Sequence, residues 1–126
     1  MTTPSDLALY RLDKAKENLK AARLLYDSGD FAGSVNRSYY AVFTAARALL
    51  ALKGLDSKKH TGVIALFDKH YVKDGIISKE MGSILRTSKV LRENADYADY
   101  VEITGEAAGK ELEKAAEFVK LIEGEI

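Results

Sequence analysis

Apolar residues recur every three or four positions along most of the chain, which is the spacing of an amphipathic α-helix. In the first such segment the repeating apolar positions are Leu12, Ala15, Leu19, Ala22 and Tyr26. The single proline, Pro4, precedes this segment, and the turn-forming stretch 27–30 follows it. The pattern therefore predicts a first helix from about Ser5 to Tyr26.

The second segment, from about Phe31 to Lys53, is apolar almost all round. One broad face carries Val35, Tyr39, Val42, Phe43, Ala46, Leu49 and Leu50. The opposite side carries Ala41, Ala45, Ala48 and Leu52. A helix with apolar residues on both sides belongs in the middle of a bundle. Gly54 follows at the place where a left-handed residue commonly closes a helix, so we predict a central helix that ends there.

Three further helices are predicted downstream: a shorter one from about His60 to Tyr71, one from the N-cap Ser78 to about Asn94, and one capped by Thr104. The inner positions of the last two are Met81, Ile84, Ser88, Leu91 and Ala95, followed by Leu112, Ala115, Ala116, Val119 and Ile122. No alternating strand pattern occurs, and long helices with short connections are normally antiparallel neighbours. The sequence thus predicts an all-α fold, an antiparallel up-and-down bundle of four long helices plus one short helix, in a single domain spanning 1–126.

The composition is that of an ordinary globular protein, with 47% hydrophobic and 30% charged residues among 126. Cysteine is absent, which excludes disulfides and thiolate chemistry. The first residues lack the pattern of a secretion signal, and no run approaches the ~18 apolar residues of a membrane span. We therefore expect a soluble, cytoplasmic protein.

The net charge is zero, but the charges are unevenly distributed. Residues 37–92 carry eleven basic and four acidic side chains, whereas residues 93–126 carry three basic and ten acidic ones. Oppositely charged helices would attract one another within a bundle, and this is the interpretation we favour because no block of consecutive basic residues occurs. The alternative is a basic face that binds a polyanion.

Recognisable enzyme motifs are missing: there is no glycine-rich phosphate loop, no HExxH pair and no Gly-x-Ser-x-Gly elbow. The two histidines, His60 and His70, lie ten residues apart. A metal would need carboxylates such as Asp68 or Asp74 to complete its ligand set. We expect neither a metal nor a cofactor.

Helix two offers a candidate binding site. Asn36, Tyr40, Phe43 and Arg47 are spaced by four, three and four residues, so they line one edge of its apolar face. These polar groups could hydrogen-bond to neighbouring helices and fix their register. They could equally form a groove in which a guanidinium and an aromatic ring bind a phosphate or a base.

Helix four offers a second candidate. A helical wheel places Arg92 at the rim of the inner stripe, between core and solvent. Asp96 follows four residues later and can pair with it. Tyr97 and Tyr100 follow where the helix ends. This is the most suggestive polar cluster in the chain, since stability alone is a weak reason for a surface ion pair.

The run Asn36–Phe43 (NRSYYAVF), continuing through residues 45–50 (AARALL), resembles the central helix of HEPN-domain proteins. More narrowly, it resembles the small stand-alone prokaryotic HEPN proteins. The segments Lys59–Val63 (KHTGV) and Arg92–Tyr97 (RENADY) resemble the same group in the same order. The resemblance spans nearly the whole chain and adds His60, which lies in the second segment, to the candidate ligand-binding residues.

The resemblance implies an up-and-down bundle that commonly dimerises. It also implies a minimal nucleotidyltransferase as partner, in some cases as toxin and antitoxin. Ribonuclease members of the family carry an arginine followed, after four to six residues, by a histidine near the end of a late helix. Arg92 matches the arginine, but Tyr97, Ala98 and Asp99 occupy the histidine positions. The missing imidazole is the group proposed to handle protons near neutral pH, so the sequence argues against catalysis.

Three functions compete. The first is a non-catalytic binding module that partners a minimal nucleotidyltransferase, with nucleotide binding as a further expectation. The second is a metal-independent endoribonuclease with an altered site, and the third is a purely structural helical dimer. We favour the first, with Asn36, Tyr40, Arg47, His60, Arg92, Asp96 and Tyr97 as its ligand-binding residues.

Overall fold

The structure is a computed structural model that describes residues 3–97 and 102–126, apart from the side chain of Tyr97. Over those residues it is all-α, as predicted. The helices are α1 (Pro4–Asp27), α2 (Phe31–Ala51), α3 (His60–Phe67), α4 (Lys79–Tyr97) and α5 (Gly105–Glu125). A single π-helical turn, Asp68–Val72, extends α3. None of the described helices is long and apolar enough to cross a membrane.

The predicted caps are in place. The Ser78 hydroxyl accepts a hydrogen bond from the backbone of Met81 at 3.1 Å, at the start of α4. The Thr104 hydroxyl caps α5 in the same way through Ala107. Gly54 has a φ of +70°, a conformation that costs glycine little and other residues more. Side-chain caps and a left-handed glycine thus define these helix boundaries.

Three predicted helix ends were wrong by a few residues. Helix α2 ends at Ala51 rather than Lys53, because the amides of residues 52–54 bond to the carbonyls three residues earlier and tighten the last turn. Helix α4 continues to Tyr97 instead of ending near Asn94. The predicted third helix is divided into α3 and the π-helical turn, in which the buried Tyr71 donates a hydrogen bond to the carbonyl of Leu49.

Neighbouring helices are antiparallel. Ser34, near the start of α2, donates to the carbonyl of Ala22 near the end of α1 at 2.8 Å. Arg11, near the start of α1, donates to the carbonyl of Arg47 near the end of α2 at 3.2 Å. The same reversal relates α4 to α5: the buried Ser88 donates to Glu111 at 3.0 Å, whereas Glu80, nearer the start of α4, lines a cavity with Glu117, further along α5. The bundle therefore runs up and down.

Helix α2 is the central element and contacts each of the other four helices. Every residue of its predicted inner face is buried, and so are Ala41, Ala45 and Ala48 on its back. Alanines on the back of α2 let a neighbouring backbone approach closely, which is how both sides of one helix can be covered. This central position places the polar edge of α2 against α3 and α4.

Candidate functional site

His60 is the first residue of α3 and packs against three aromatic residues of α2. Its Nδ1 atom lies 2.7 Å from the hydroxyl of Tyr39. Its ring stacks on Phe43 with a centroid separation of 4.2 Å and meets the ring of Tyr40 edge-on at 6.1 Å. Residues 39, 40 and 43 share one side of α2 because residues three and four apart are neighbours on a helix.

The protonation of Tyr39 and His60 indicates which of the two groups donates the hydrogen bond between them. Burial raises the pKa of Tyr39 above its ordinary value, so the hydroxyl keeps its proton. Burial also lowers the pKa of His60, and nearby positive charges act in the same direction; they belong to Arg92, Lys89 and Arg47. A neutral imidazole that accepts a hydrogen bond at Nδ1 carries its own proton on Nε2. Within the described residues, Nδ1 of His60 is the one hydrogen-bond partner of the buried Tyr39 hydroxyl, and a buried O–H group is normally paired with an acceptor. We therefore infer that Tyr39 donates to Nδ1 and that His60 presents Nε2–H.

Arg92 enters the site from α4 and is held in position on two sides. Its Nε atom lies 3.1 Å from Oδ2 of Asp96, which confirms the predicted ion pair. Its guanidinium carbon lies 5.4 Å from the ring centroid of Tyr40 and 5.8 Å from that of Tyr39, within cation–π range. Asn36 also donates to Asp96, at 3.3 Å. The Arg92 side chain is 17% exposed, so it is fixed yet reachable from solvent.

Arg47 lies one turn beyond Phe43 on α2 and forms a two-pronged contact with Asp56. Its Nε and Nη2 atoms lie 3.2 and 2.9 Å from the two carboxylate oxygens. Arg11 contacts the same carboxylate at 2.9 Å. The Arg47 hydrogen bonds, assisted by Arg11, lower the pKa of Asp56 to about 2. One carboxylate is thus shared by two guanidinium groups, which leaves this end of the site positively charged.

A cavity of about 320 Å³ opens between Arg47 and His60. Its described lining residues are Tyr40, Phe43, Thr44, Arg47, Ser57, Lys58 and His60. We refer to it as the His60 cavity. The rings of Tyr40, Phe43 and His60 form an aromatic wall, and Arg47 and Lys58 add positive charge, a combination that suits a planar base carrying a phosphate.

The structure brings together six of the seven predicted site residues. Asn36, Tyr40, Arg47, His60, Arg92 and Asp96 all lie along the junction of α2, α3 and α4. The side chain of Tyr97 lies outside the described residues. The binding role of all seven stays a prediction. Sequence reasoning missed several contributors: Tyr39, which was assigned to the core, and Arg11, Asp56 and Lys58, for which no pattern gave a signal.

The chain is similar to known proteins over most of its length. The family model described as "HEPN domain" matches residues 8–125. A Methanocaldococcus jannaschii protein named "Putative toxin MJ0605" is 43% identical over 86 residues, which is 68% of this chain and 64% of that protein. A Thermotoga maritima "UPF0332 protein" is 38% identical over 110 residues, 87% of this chain and 83% of that protein. A second M. jannaschii protein, "Putative toxin MJ0142", is 33% identical over 108 residues, 86% of this chain and 74% of that protein.

Proposed function

The chain belongs to the HEPN domain family, and on that premise we propose that it is a binding module that holds a phosphate-bearing ligand at Arg92 and the His60 cavity. The observation that carries the proposal is the fixed position of Arg92, paired with Asp96 and seated on the ring of Tyr40. An oriented guanidinium can engage two phosphate oxygens at once. The neighbouring aromatic wall offers a stacking surface for a base.

The local charge supports an anionic ligand. Arg92 and Arg47 are each paired with a carboxylate, Asp96 and Asp56. Lys58 also lines the His60 cavity, and no ion pair within the described residues neutralises it. The Arg47–Asp56 pair is partly exposed, and a pair of that kind contributes at most about 1 kcal/mol to stability. Fixing the register of the bundle is therefore a weak reason to gather these cations at a cavity.

The inferred tautomer of His60 favours binding over catalysis. A general base needs an unprotonated nitrogen directed at its substrate. In His60 the unprotonated nitrogen, Nδ1, faces the buried hydroxyl of Tyr39, and Nε2–H is left as a hydrogen-bond donor. A donor suits a phosphate oxygen. This arrangement supports a non-catalytic module, in keeping with the absence of a histidine after Arg92.

The test is a titration of a mononucleotide and a short single-stranded RNA into the wild type, Arg92→Ala and Arg37→Ala. Arg37 is a matched control because it is an exposed arginine of α2 that bonds to Asn18 on α1, away from the cavity. We expect salt-sensitive binding that Arg92→Ala abolishes and Arg37→Ala preserves, with both variants folded by circular dichroism. Equal loss in the two variants, or no binding by the wild type, would contradict the proposal.

We further propose that the module forms a homodimer and partners a minimal nucleotidyltransferase. The family resemblance supports both statements, and the toxin names of two relatives fit a protein that works with a second component. Co-expression with a nucleotidyltransferase encoded beside it in the host genome should yield a co-purifying complex. An unrelated nucleotidyltransferase of similar size is the control, and equal recovery of both would count against a specific partner.

A metal-independent endoribonuclease is the second candidate, and one observation favours it. The imidazole missing from the sequence after Arg92 is present in space, because His60 contacts Tyr40, on which Arg92 rests. Labelled RNA incubated with the pure protein and a chelator separates the candidates. We expect no cleavage. Robust cleavage that disappears in both Arg92→Ala and His60→Gln would make the endoribonuclease the correct assignment.

A further inference from the structure

A second basic surface lies between the π-helical turn and the first half of α4. A cavity of about 580 Å³ opens there, and four cations line it: Lys69, Lys73, Lys79 and Arg86. We refer to these four residues as the α3–α4 basic patch. Asp68 is the one carboxylate among the described lining residues, and it pairs with Arg86. Within the described residues, the three lysines form no ion pair.

This positive charge forms no direct ion pair with the acidic helix α5 within the described residues. In the described part of the chain, two ion pairs connect the basic stretch 37–92 with the acidic stretch 93–126. They are Lys89 with Glu93 and Arg92 with Asp96, and both are local pairs within α4. The described acidic residues of α5 therefore leave the α3–α4 basic patch uncompensated.

A row of cations on α4 connects the α3–α4 basic patch to the Arg92 site. Arg86, Lys89 and Arg92 are three residues apart, so each step advances about 4.5 Å along the helix and about 60° around it. The middle cation, Lys89, is near enough to His60 to influence its protonation. The row thus begins at the cavity of the α3–α4 basic patch and ends at Arg92, which rests on Tyr40, a lining residue of the His60 cavity.

We infer that the α3–α4 basic patch and this row form a track for the phosphate backbone of a single-stranded polynucleotide, with the Arg92 site at one end. The inference rests on the proposed phosphate-binding function and extends it from a nucleotide to a polymer. Lys79 and Arg92 are separated by about 20 Å along α4 at 1.5 Å per residue, more than a mononucleotide spans. A chain of several phosphates would contact the whole row.

The aromatic residues at the end of the track select a single strand over a duplex. Tyr40, Phe43 and His60 line a cavity of about 320 Å³, which suits a base that is free to leave the stack. In a duplex the bases are paired and stacked, so such a base reaches the wall only at an unstacking cost of a few kcal/mol. Stacking on aromatic side chains with cations along the backbone is the usual way in which proteins hold single strands.

The test compares two triple charge reversals that change the net charge equally. Lys69→Glu, Lys73→Glu and Lys79→Glu remove the patch lysines, whereas Lys20→Glu, Lys110→Glu and Lys120→Glu change exposed lysines of α1 and α5. Binding of a labelled single-stranded RNA of about 12 nucleotides is followed by fluorescence anisotropy over a range of salt concentrations. We expect the patch variant to weaken RNA binding by about tenfold or more and to reduce the salt slope by about 2, as for three lost phosphate contacts. The control variant should change neither.

The outcomes separate this inference from the proposed function. Mononucleotide binding should be unaffected by the patch variant but lost in Arg92→Ala. RNA binding that depends on the patch but not on Arg92 would overturn the Arg92 site and support the track. Equal effects of the two triple variants, unchanged RNA binding in the patch variant, absent RNA binding by the wild type, or preferential binding of a duplex would each overturn the track. The corresponding lysine-to-glutamine variant replaces the patch variant if charge reversal prevents folding.

Discussion

Replacing Tyr39 with phenylalanine tests the hydrogen bond on which the assignment of His60 depends. The substitution removes one hydroxyl from a fully buried side chain and leaves the ring in place. It therefore retains the stacking of residue 39 on Phe43, whose ring centroid lies 5.8 Å away. The change that remains is the loss of the donor that lies 2.7 Å from Nδ1 of His60.

The expected loss of stability follows from the two partners. Leaving a buried acceptor without its donor costs about 1–3 kcal/mol. His60 is only half-buried, so water can replace part of the lost bond, and we expect a loss of about 1–1.5 kcal/mol near neutral pH. The O–H donor also stabilises the neutral imidazole, so its loss should raise the pKa of His60, although burial and the nearby cations still hold that pKa below its ordinary value. The loss should therefore shrink as the pH falls.

Urea denaturation of the wild type and Tyr39→Phe at about pH 7.5 and about pH 5.5 measures both effects. In the wild type the folded pKa of His60 lies below its unfolded value, so its contribution to stability is present above about pH 6.5 and declines as the pH falls. Tyr39→Phe should show a weaker decline. Phe118→Leu is a control for packing because Phe118 is fully buried against Phe67 and, within the described residues, has no ring contact with His60, so its effect should not depend on pH. A loss below about 0.3 kcal/mol, or an equal loss at both pH values, would refute the inferred O–H···Nδ1 bond.

Further predictions concern the core, the acid range and assembly. Phe43 is 7% exposed, so Phe43→Ala should cost roughly 3–5 kcal/mol in urea denaturation, and a loss below about 1 kcal/mol would mean that this part of the core is not packed as described. Asp56 has its pKa lowered to about 2, so the wild type should lose stability relative to Asp56→Asn as the pH falls from about 4 to about 2; parallel acid-unfolding curves would contradict the shared carboxylate. Light scattering at micromolar concentration should give about twice the chain mass of 13.9 kDa, and a monomer at every concentration would exclude the homodimer.

Most of the fold could be predicted because helical periodicity is a local property. Most core positions of α2 were identified, since its apolar residues surround the helix, but the buried Ser34, Ser38 and Ala51 were not. The stripe predicted for α5 was less accurate: Ala116 is half-buried, and Phe118 is fully buried although it was not assigned to the core. A helical wheel gives the direction in which a side chain points, but it does not show how much of that side chain a neighbouring helix covers. The π-helical turn at Asp68–Val72 was missed because no residue pattern distinguishes it from a continuing α-helix.

The candidate site was predictable only where its contacts are local. The pair Arg92–Asp96 follows from a four-residue spacing along one helix. The approach of His60 to Tyr39 joins residues 21 positions apart, and the bridge from Arg11 to Asp56 joins residues 45 positions apart. Such contacts depend on which helices the connections bring together, and periodicity does not contain that information. The resemblance to the family indicated His60 as a site residue but not its partner.

The position of His60 bears on how the ribonuclease motif should be interpreted in this chain. A histidine that follows the arginine on one helix and a histidine that arrives from another helix can place an imidazole in the same region. Their chemistry differs through the group bonded to Nδ1. An acceptor on Nδ1 leaves Nε2 free to act as a base, whereas a donor such as Tyr39 leaves Nε2–H as a hydrogen-bond donor. We therefore regard the buried tyrosine, more than the distance between Arg92 and a histidine, as the feature that favours a binding module over a nuclease.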